Sequence, residues 1–165
     1  MIKFLLKEYF KNMTNKNKTS KVLFRVSDGE GGTNVETLWT SDLGNDKYKM
    51  DNSPFYAYSV SWNDIIFAPY NEDEGFPTFE KVIEKCGHRT IRVIFNPPIE
   101  EGNKSNSQLK NILKLGCSYE GANNKFISID IPPEIELDSI CKYLIEENMQ
   151  WEHADPCYDD LYPEV

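Results

Sequence analysis

From Lys21 onward, hydrophobic and polar positions alternate in short bursts rather than in long helical stripes. Val22, Phe24 and Val26 fall on one side and Leu23 and Arg25 on the other, the two-residue period of a strand. The glycines of 29–33 punctuate, and a second strand over 35–41 is rich in Val, Thr, Leu and Trp. Turn chemistry at 42–46 leads to a third strand, with Tyr48 and Met50 on one face. The stretch 51–64 then carries Phe55, Tyr56, Tyr58 and Trp62 where an ordinary linker would be polar, and Pro54 holds Ser53 extended. Ile65-Ile66-Phe67-Ala68 reads as a short buried strand, Glu72-Asp73-Glu74-Gly75 as an acidic loop, and 79–86 as a fifth strand. These elements predict a bent antiparallel sheet or half-barrel of about five strands, its open end plugged by the four rings.

After Gly87 the rhythm changes. Ile91, Val93 and Phe95 share a strand face, and Ser105-x-x-Gln108 has the form of a capping box ahead of Leu109, Ile112 and Leu113. Gly116 closes that helix, residues 117–121 and 126–131 form a hairpin around Asn123-Asn124, and Pro132-Pro133 stops it. Leu137, Ile140, Cys141, Leu144 and Ile145 form a helical stripe over 136–148, and 149–154 makes a last strand. Strand, helix, strand, strand, helix, strand is the ferredoxin-like βαββαβ order, with 90–96 and 126–131 central and both helices on one face. The fold class is therefore α+β, a bent sheet packed on a ferredoxin-like unit. The chain divides into an extension (1–20), an antiparallel β half (21–87), a ferredoxin-like half (88–156) and an acidic tail (157–165).

Composition narrows the function classes. Aromatic residues at 13% and hydrophobic residues at 39% describe a packed protein. The net charge is -9, and it is uneven: residues 1–21 hold six lysines and one glutamate, leaving 12 basic against 26 acidic groups, a net of -14, in the remainder. Such a body repels a phosphate backbone, so no nucleic-acid partner is expected; a basic protein partner is compatible with it. No apolar run reaches the roughly 20 residues that cross a bilayer, so no membrane is expected either. Four cysteines without a Cys-x-x-Cys pair fit reduced thiols in the cytoplasm and no structural zinc. Residues 2–10 fit a small amphipathic helix, or else translation begins at Met13.

Three groups of residues carry candidate chemistry. His88, two positions after Cys86, fits a nucleophile–base pair or a sheet-end histidine bonded to backbone, and the loose spacing favours the second. Cys117, Tyr119 and Glu120 share a hairpin, but adjacent strand residues point to opposite faces, which weakens an acid–base pairing. Asp64 has the position of a turn-closing carboxylate. The acidic residues Glu72, Asp73 and Glu74, with Trp151, Glu152, Tyr158, Asp159 and Asp160 of a C-terminal stretch free of Lys and Arg, fit a basic protein surface anchored by rings. No phosphate loop, Ser-His-Asp order or RNA-reading aromatic motif is present, and no cofactor or metal site is expected.

Several phrases occur together: Lys21-Val22-Leu23-Phe24-Arg25-Val26, Glu36-Thr37-Leu38-Trp39, Asp51-Asn52-Ser53-Pro54-Phe55-Tyr56-Ala57-Tyr58, Gly87-His88-x-Thr90-Ile91-Arg92-Val93, Leu115-Gly116-Cys117-x-Tyr119-Glu120-Gly121 and Asp130-Ile131-Pro132-Pro133. With these the chain resembles the bacterial family called domain of unknown function 4265, over roughly residues 21 to 155. The resemblance implies a small, soluble, bacterial cytosolic protein, carries no activity to transfer, and marks Phe55, Tyr58, His88, Cys117, Tyr119 and Glu120 as positions matching the family's pattern. Glu136 departs from that pattern, which favours aspartate at the helix start. The functional expectation is a non-catalytic protein-binding or regulatory module, one concrete form being an immunity protein that masks a basic toxin. The competing expectation is an enzyme or ligand sensor whose pocket unites the aromatic connection, His88 and Tyr119.

Overall fold

A computed structural model describes residues 18–163. The expected N-terminal helix or alternative start, and Glu164 of the tail, lie outside the described residues. Among them, no helix is long and apolar enough to cross a membrane.

The first half is built on a long hairpin, β1 (Lys18–Ser27) against β2 (Thr33–Gly44), with Val22 opposite Leu38 and Phe24 opposite Glu36. β3 (Lys47–Met50), β4 (Ile65–Phe67) and β7 (Lys81–Glu84) extend it in the order β1-β2-β3-β4-β7. Val22, Phe24, Leu38, Tyr48, Met50 and Ile66 fill its interior. The sheet curls until the chain just ahead of β7 returns to the outer edge of β1. There the Phe79 N–H donates to the Leu23 carbonyl at 2.8 Å, and the Phe79 ring stacks on Phe24 at 4.6 Å. The fifth strand is shorter than the pattern 79–86 implies, because Thr78 and Phe79 are used in this closure. Residues 70–77 form a small hairpin, β5 (Tyr70–Asn71) and β6 (Phe76–Pro77), with the acidic residues in its turn.

The second half runs β8 (Arg89–Ile94), α1 (Lys104–Lys114), β9 (Ser118–Gly121), β10 (Phe126–Ile131), α2 (Leu137–Glu146) and β11 (Gln150–Asp155). Its sheet has the order β11-β8-β10-β9, antiparallel throughout, with β8 and β10 at the centre. Ile91, Val93, Phe95, Ile127, Ile129 and Ile131 pack against Leu109 and Ile112 of α1 and Ile140 and Leu144 of α2. Full burial of each such side chain contributes about 1.5–3 kcal/mol.

Two local expectations are corrected. Ser105 does not cap α1: the Asn106 N–H donates to Asn103 Oδ1 at 2.8 Å, while the Ser105 hydroxyl donates to the Pro97 carbonyl. Asn103 precedes the first helical residue and is as good a cap as serine, so the helix starts earlier; Gln108, now one turn in, donates instead to Glu147. Gly116 does end the helix, at φ +98°, and a Cβ there would lie 2.8 Å from Ile135 Cδ1.

The second correction concerns the connection 51–64. It crosses the back of the second sheet, but its rings do not plug the first. Tyr56 and Tyr58 are 55% and 50% exposed, and Phe55 and Trp62 are half-buried. What goes inside is Ser53, Pro54, Ala57, Val60 and Ser61 together with the backbone. The segment has no ladder of its own, so its amides and carbonyls must find partners in the interior, and small side chains let them approach.

Candidate functional site

Polar groups from both sheets clamp the connection and thereby fix where its rings point. On β2, Glu36 stands in the same inward phase as Leu38 and Thr40 and is only 8% exposed. Its carboxylate accepts the N–H groups of Phe55, Tyr56 and Ala57 at 2.7, 3.0 and 2.9 Å. On the opposite side, Glu120 of β9 accepts the Ser53 N–H at 2.9 Å, and the Ser128 hydroxyl of β10 donates to the Pro54 carbonyl at 2.9 Å. Burial pushes the Glu120 carboxyl up, opposed by the Ser53 and Asn52 hydrogen bonds. Further along, Ser61 donates to Asp155 Oδ2 at 2.6 Å and meets the Thr90 hydroxyl at 2.8 Å. The Lys85 ammonium reaches Asp64 at 3.0 Å and Asp155 at 2.7 Å, so Asp64 closes its turn and also ties the halves together.

Held in this way, Tyr58 lies over a buried cation. Arg92 of β8 is 3% exposed, and its guanidinium carbon sits 4.5 Å from the centre of the Tyr58 ring. One guanidinium nitrogen donates to Glu152 Oε1 of β11 at 3.1 Å and the other to the Ala57 carbonyl. The Tyr58 hydroxyl completes the set, donating to Glu152 Oε2 at 3.0 Å. Burial raises the Tyr58 pKa, Glu152 adds to the rise, and Arg92 opposes it.

This Tyr58–Glu152 ridge separates two cavities that share it. One, of about 680 Å³, lies between the halves and is lined by Val26, Val35, Phe55, Tyr56, Ile94 and Phe126. The other, of about 760 Å³, lies beside α2 and the tail. There the tail forms a short helix, α3 (Tyr158–Leu161), started by a reciprocal Cys157–Asp160 cap. Tyr158 and Tyr162 are one turn apart, and their rings meet at 4.8 Å. Tyr158 faces His153 at 6.4 Å, and His153 meets Trp151 edge-on at 4.9 Å, giving a continuous wall of four rings. Burial lowers the His153 pKa, which keeps the imidazole neutral at physiological pH, and its Nδ1 has no partner among the described residues.

The residues singled out from sequence distribute as follows. Phe55 and Tyr58 line a cavity, and Trp151, Glu152, Tyr158 and Asp159 line the tail cavity with Tyr58. Asp160 serves the helix cap. Glu72, Asp73 and Glu74 sit on a separate hairpin whose Glu74 pairs with Arg25, and they line neither cavity. His88, Cys117 and Tyr119 line neither of these two cavities, so neither cavity unites His88 and Tyr119 with the aromatic connection. His88 instead donates through Nδ1 to Asp130 at 2.8 Å, with Trp62 edge-on at 5.4 Å. Asp130 is pushed up by burial, opposed by His88. Cys86 donates its thiol proton to the Asn63 carbonyl, and burial raises its pKa. Burial likewise takes the Cys117 thiol up to about 11, so both sulfurs are protonated at neutral pH and neither is poised as a nucleophile.

Glu36, Lys85 and Arg92 organise the site and were not marked by sequence reasoning as site residues. Glu36 had a readable signal: it falls on the inward phase of a strand, where a carboxylate must find several donors. Arg92 had a similar one, in phase with Thr90 and Ile94 on the mixed face of β8. Among the described residues, no group of three or more His, Cys, Asp or Glu side chains converges as a metal set.

Among solved structures, one described as a novel crystal structure of a hypothetical protein from Neisseria gonorrhoeae is similar, with a TM-score of 0.69 at 19% identity, over 86% of this chain and 97% of that chain. At that identity the likeness is one of fold. No curated protein matches. The family model for Domain of unknown function (DUF4265) matches residues 36–154. That span opens at the Glu36 clamp and ends at Ala154 in β11, taking in the connection, Arg92 and the Tyr58–Glu152 ridge but not α3. The chain therefore belongs to the domain of unknown function 4265 family.

Proposed function

We propose that the chain is a protein-binding module that engages a basic partner at the two cavities on either side of its Tyr58–Glu152 ridge. The observation that carries this reading is the pair of ring-lined cavities sharing one Tyr58–Glu152 ridge. Tyr and Trp are the residues that most often anchor protein interfaces, and here they are presented on a clamped, pre-formed backbone. The acidic body supplies the steering charge. The β11-β8-β10-β9 order supports a ferredoxin-like unit as the platform. The four free cysteines support a reducing, cytoplasmic setting. An immunity protein that masks a basic toxin is the concrete form this module takes in our reading.

The test is affinity capture from the source cell, with the wild-type chain and with Tyr56→Ser and Tyr158→Ser, washed at about 50 mM and then about 500 mM salt. A single partner that is released by salt and retained about tenfold less by the variants is expected. A partner held equally by all three proteins and at both salts would remove the reading.

A further inference from the structure

We infer that the tail cavity receives an arginine side chain from the protein partner, its guanidinium stacked on the Tyr158 and Tyr162 rings and paired with Asp159. The inference rests on the protein-binding reading and specifies the chemistry of one of its cavities.

The molecule itself supplies the first argument. Arg92 already lies 4.5 Å over Tyr58 while donating to Glu152, so a tyrosine face with a carboxylate beside it holds a guanidinium in this fold. The tail cavity repeats that combination on its open side. Tyr158 and Tyr162 are 61% and 56% exposed, and Asp159 follows Tyr158 directly at the cavity lining. Exposed rings at this density are anchors when a partner covers them.

Charge supplies the second. Among the described residues, no Lys or Arg lines this cavity. The chain from Trp151 to Val165 contains neither residue. Its one titratable base, His153, is held neutral by burial, so nothing inside repels a cation. Glu152 already serves Tyr58 and Arg92, which makes Asp159 the pairing group for the incoming side chain.

Shape supplies the third. The rings stand in a row, Tyr162, Tyr158, His153, Trp151, with neighbouring planes inclined by 42°, 41° and 76°, so the wall is stepped and offers separate ring faces. A planar guanidinium stacks on such a face, whereas a compact, strongly hydrated ammonium gains less from it. The volume of about 760 Å³ accommodates the aliphatic stem as well, against Ile145 of α2.

The experiment compares a blocked Gly-Arg-Gly peptide with its citrulline and lysine counterparts by calorimetric or NMR titration of the full chain. Citrulline keeps the planar shape of arginine but replaces one donating NH2 with an accepting oxygen and carries no charge. Arginine is expected to bind at least fivefold tighter than either. The preference should survive Tyr158→Phe, fall about threefold or more in Asp159→Asn, and vanish in the Tyr158→Ser, Tyr162→Ser double variant, whose net charge is unchanged. Equal binding of citrulline, or an unchanged preference in the double variant, would overturn the inference. If the preference fails while salt- and ring-dependent capture of a partner persists, the arginine inference alone falls. If that capture is also lost, both fall, because the guanidinium is here drawn from a protein.

Discussion

The Tyr58 hydroxyl donates to Glu152 Oε2 across 3.0 Å, joining residues 94 positions apart. The bond sets the ridge between the two cavities and roofs the buried Arg92. Tyr58→Phe keeps the ring over the guanidinium and deletes only the hydroxyl, so it should cost about 0.5–1.5 kcal/mol, the ordinary net value of one hydrogen bond. Tyr58→Ala also removes the ring and opens Arg92 to water, adding about 1–2 kcal/mol for the lost cation–π contact and packing. Urea unfolding of the two variants separates these contributions. Equal midpoints for Phe and Ala would show that the ring over Arg92 adds no stability.

Glu36 makes a stronger demand. One buried carboxylate satisfies three consecutive backbone N–H groups, so its removal strands donors as well as a side chain. Glu36→Ala should cost about 3–5 kcal/mol, the range for breaking a buried charged hydrogen-bond set. Glu36→Gln should fall between, because an amide offers one accepting oxygen and points donors at donors with the other end. Amide hydrogen exchange at Phe55, Tyr56 and Ala57 reports the loss locally. Protection at these three amides that is unchanged in Glu36→Ala would contradict the clamp.

The contrast between strands and connection explains what could be read in advance. Period-two runs such as Val22, Phe24 and Val26, or Ile127, Ile129 and Ile131, state their own inward face, and the observed cores contain them or pack against them. The aromatic connection states nothing comparable. Its rings look like core material, yet the burial of its amides by Glu36, Glu120 and Arg92 decides the matter, and those partners sit 19 to 67 positions away along the chain. The tail is a third case. Trp151, Tyr158 and Asp159 could be picked out by composition, and the short helix that brings the Tyr158 ring to His153 depends on the Cys157–Asp160 cap, which no periodic pattern announces. His88 is a fourth case: a histidine two positions after a cysteine fits either chemistry or a bonded sheet end, and its actual partners, the Asp130 carboxylate and the Trp62 ring, come from elsewhere in sequence.

Lys85 lies between Asp64 and Asp155, one carboxylate from each half of the chain. Lys85→Met would leave two buried acids facing each other without their cation. Stranding one side of a fully buried pair costs about 3–5 kcal/mol; Lys85 is nearly half exposed, so water screens part of the loss, and about 2 kcal/mol is expected. Lys85→Arg should restore less than half of this, since a planar fork does not reproduce the three-way contact that also includes the Ser59 carbonyl. Thermal unfolding decides. A Lys85→Met protein as stable as wild type would show that the halves are joined without this contact.

Glu120 gives the pH dependence a definite sign. Burial holds its carboxyl above the ordinary 4.5, so the folded chain keeps this proton over a range in which the unfolded chain has released it. Stability contributed by the group is therefore complete below 4.5 and is lost as pH rises through the folded value, after which the penalty stays constant. Asp130 is raised in the same direction and is present in both proteins compared. In Glu120→Gln the amide oxygen can still accept the Ser53 N–H, but no charge has to be buried. The variant should gain on wild type as pH climbs from 4 to 7, with the difference levelling off once the wild-type carboxyl is ionised. Chemical denaturation at half-unit pH intervals would show this, and a variant that loses ground with rising pH would mean that the buried charge on Glu120 stabilises the clamp rather than opposing it.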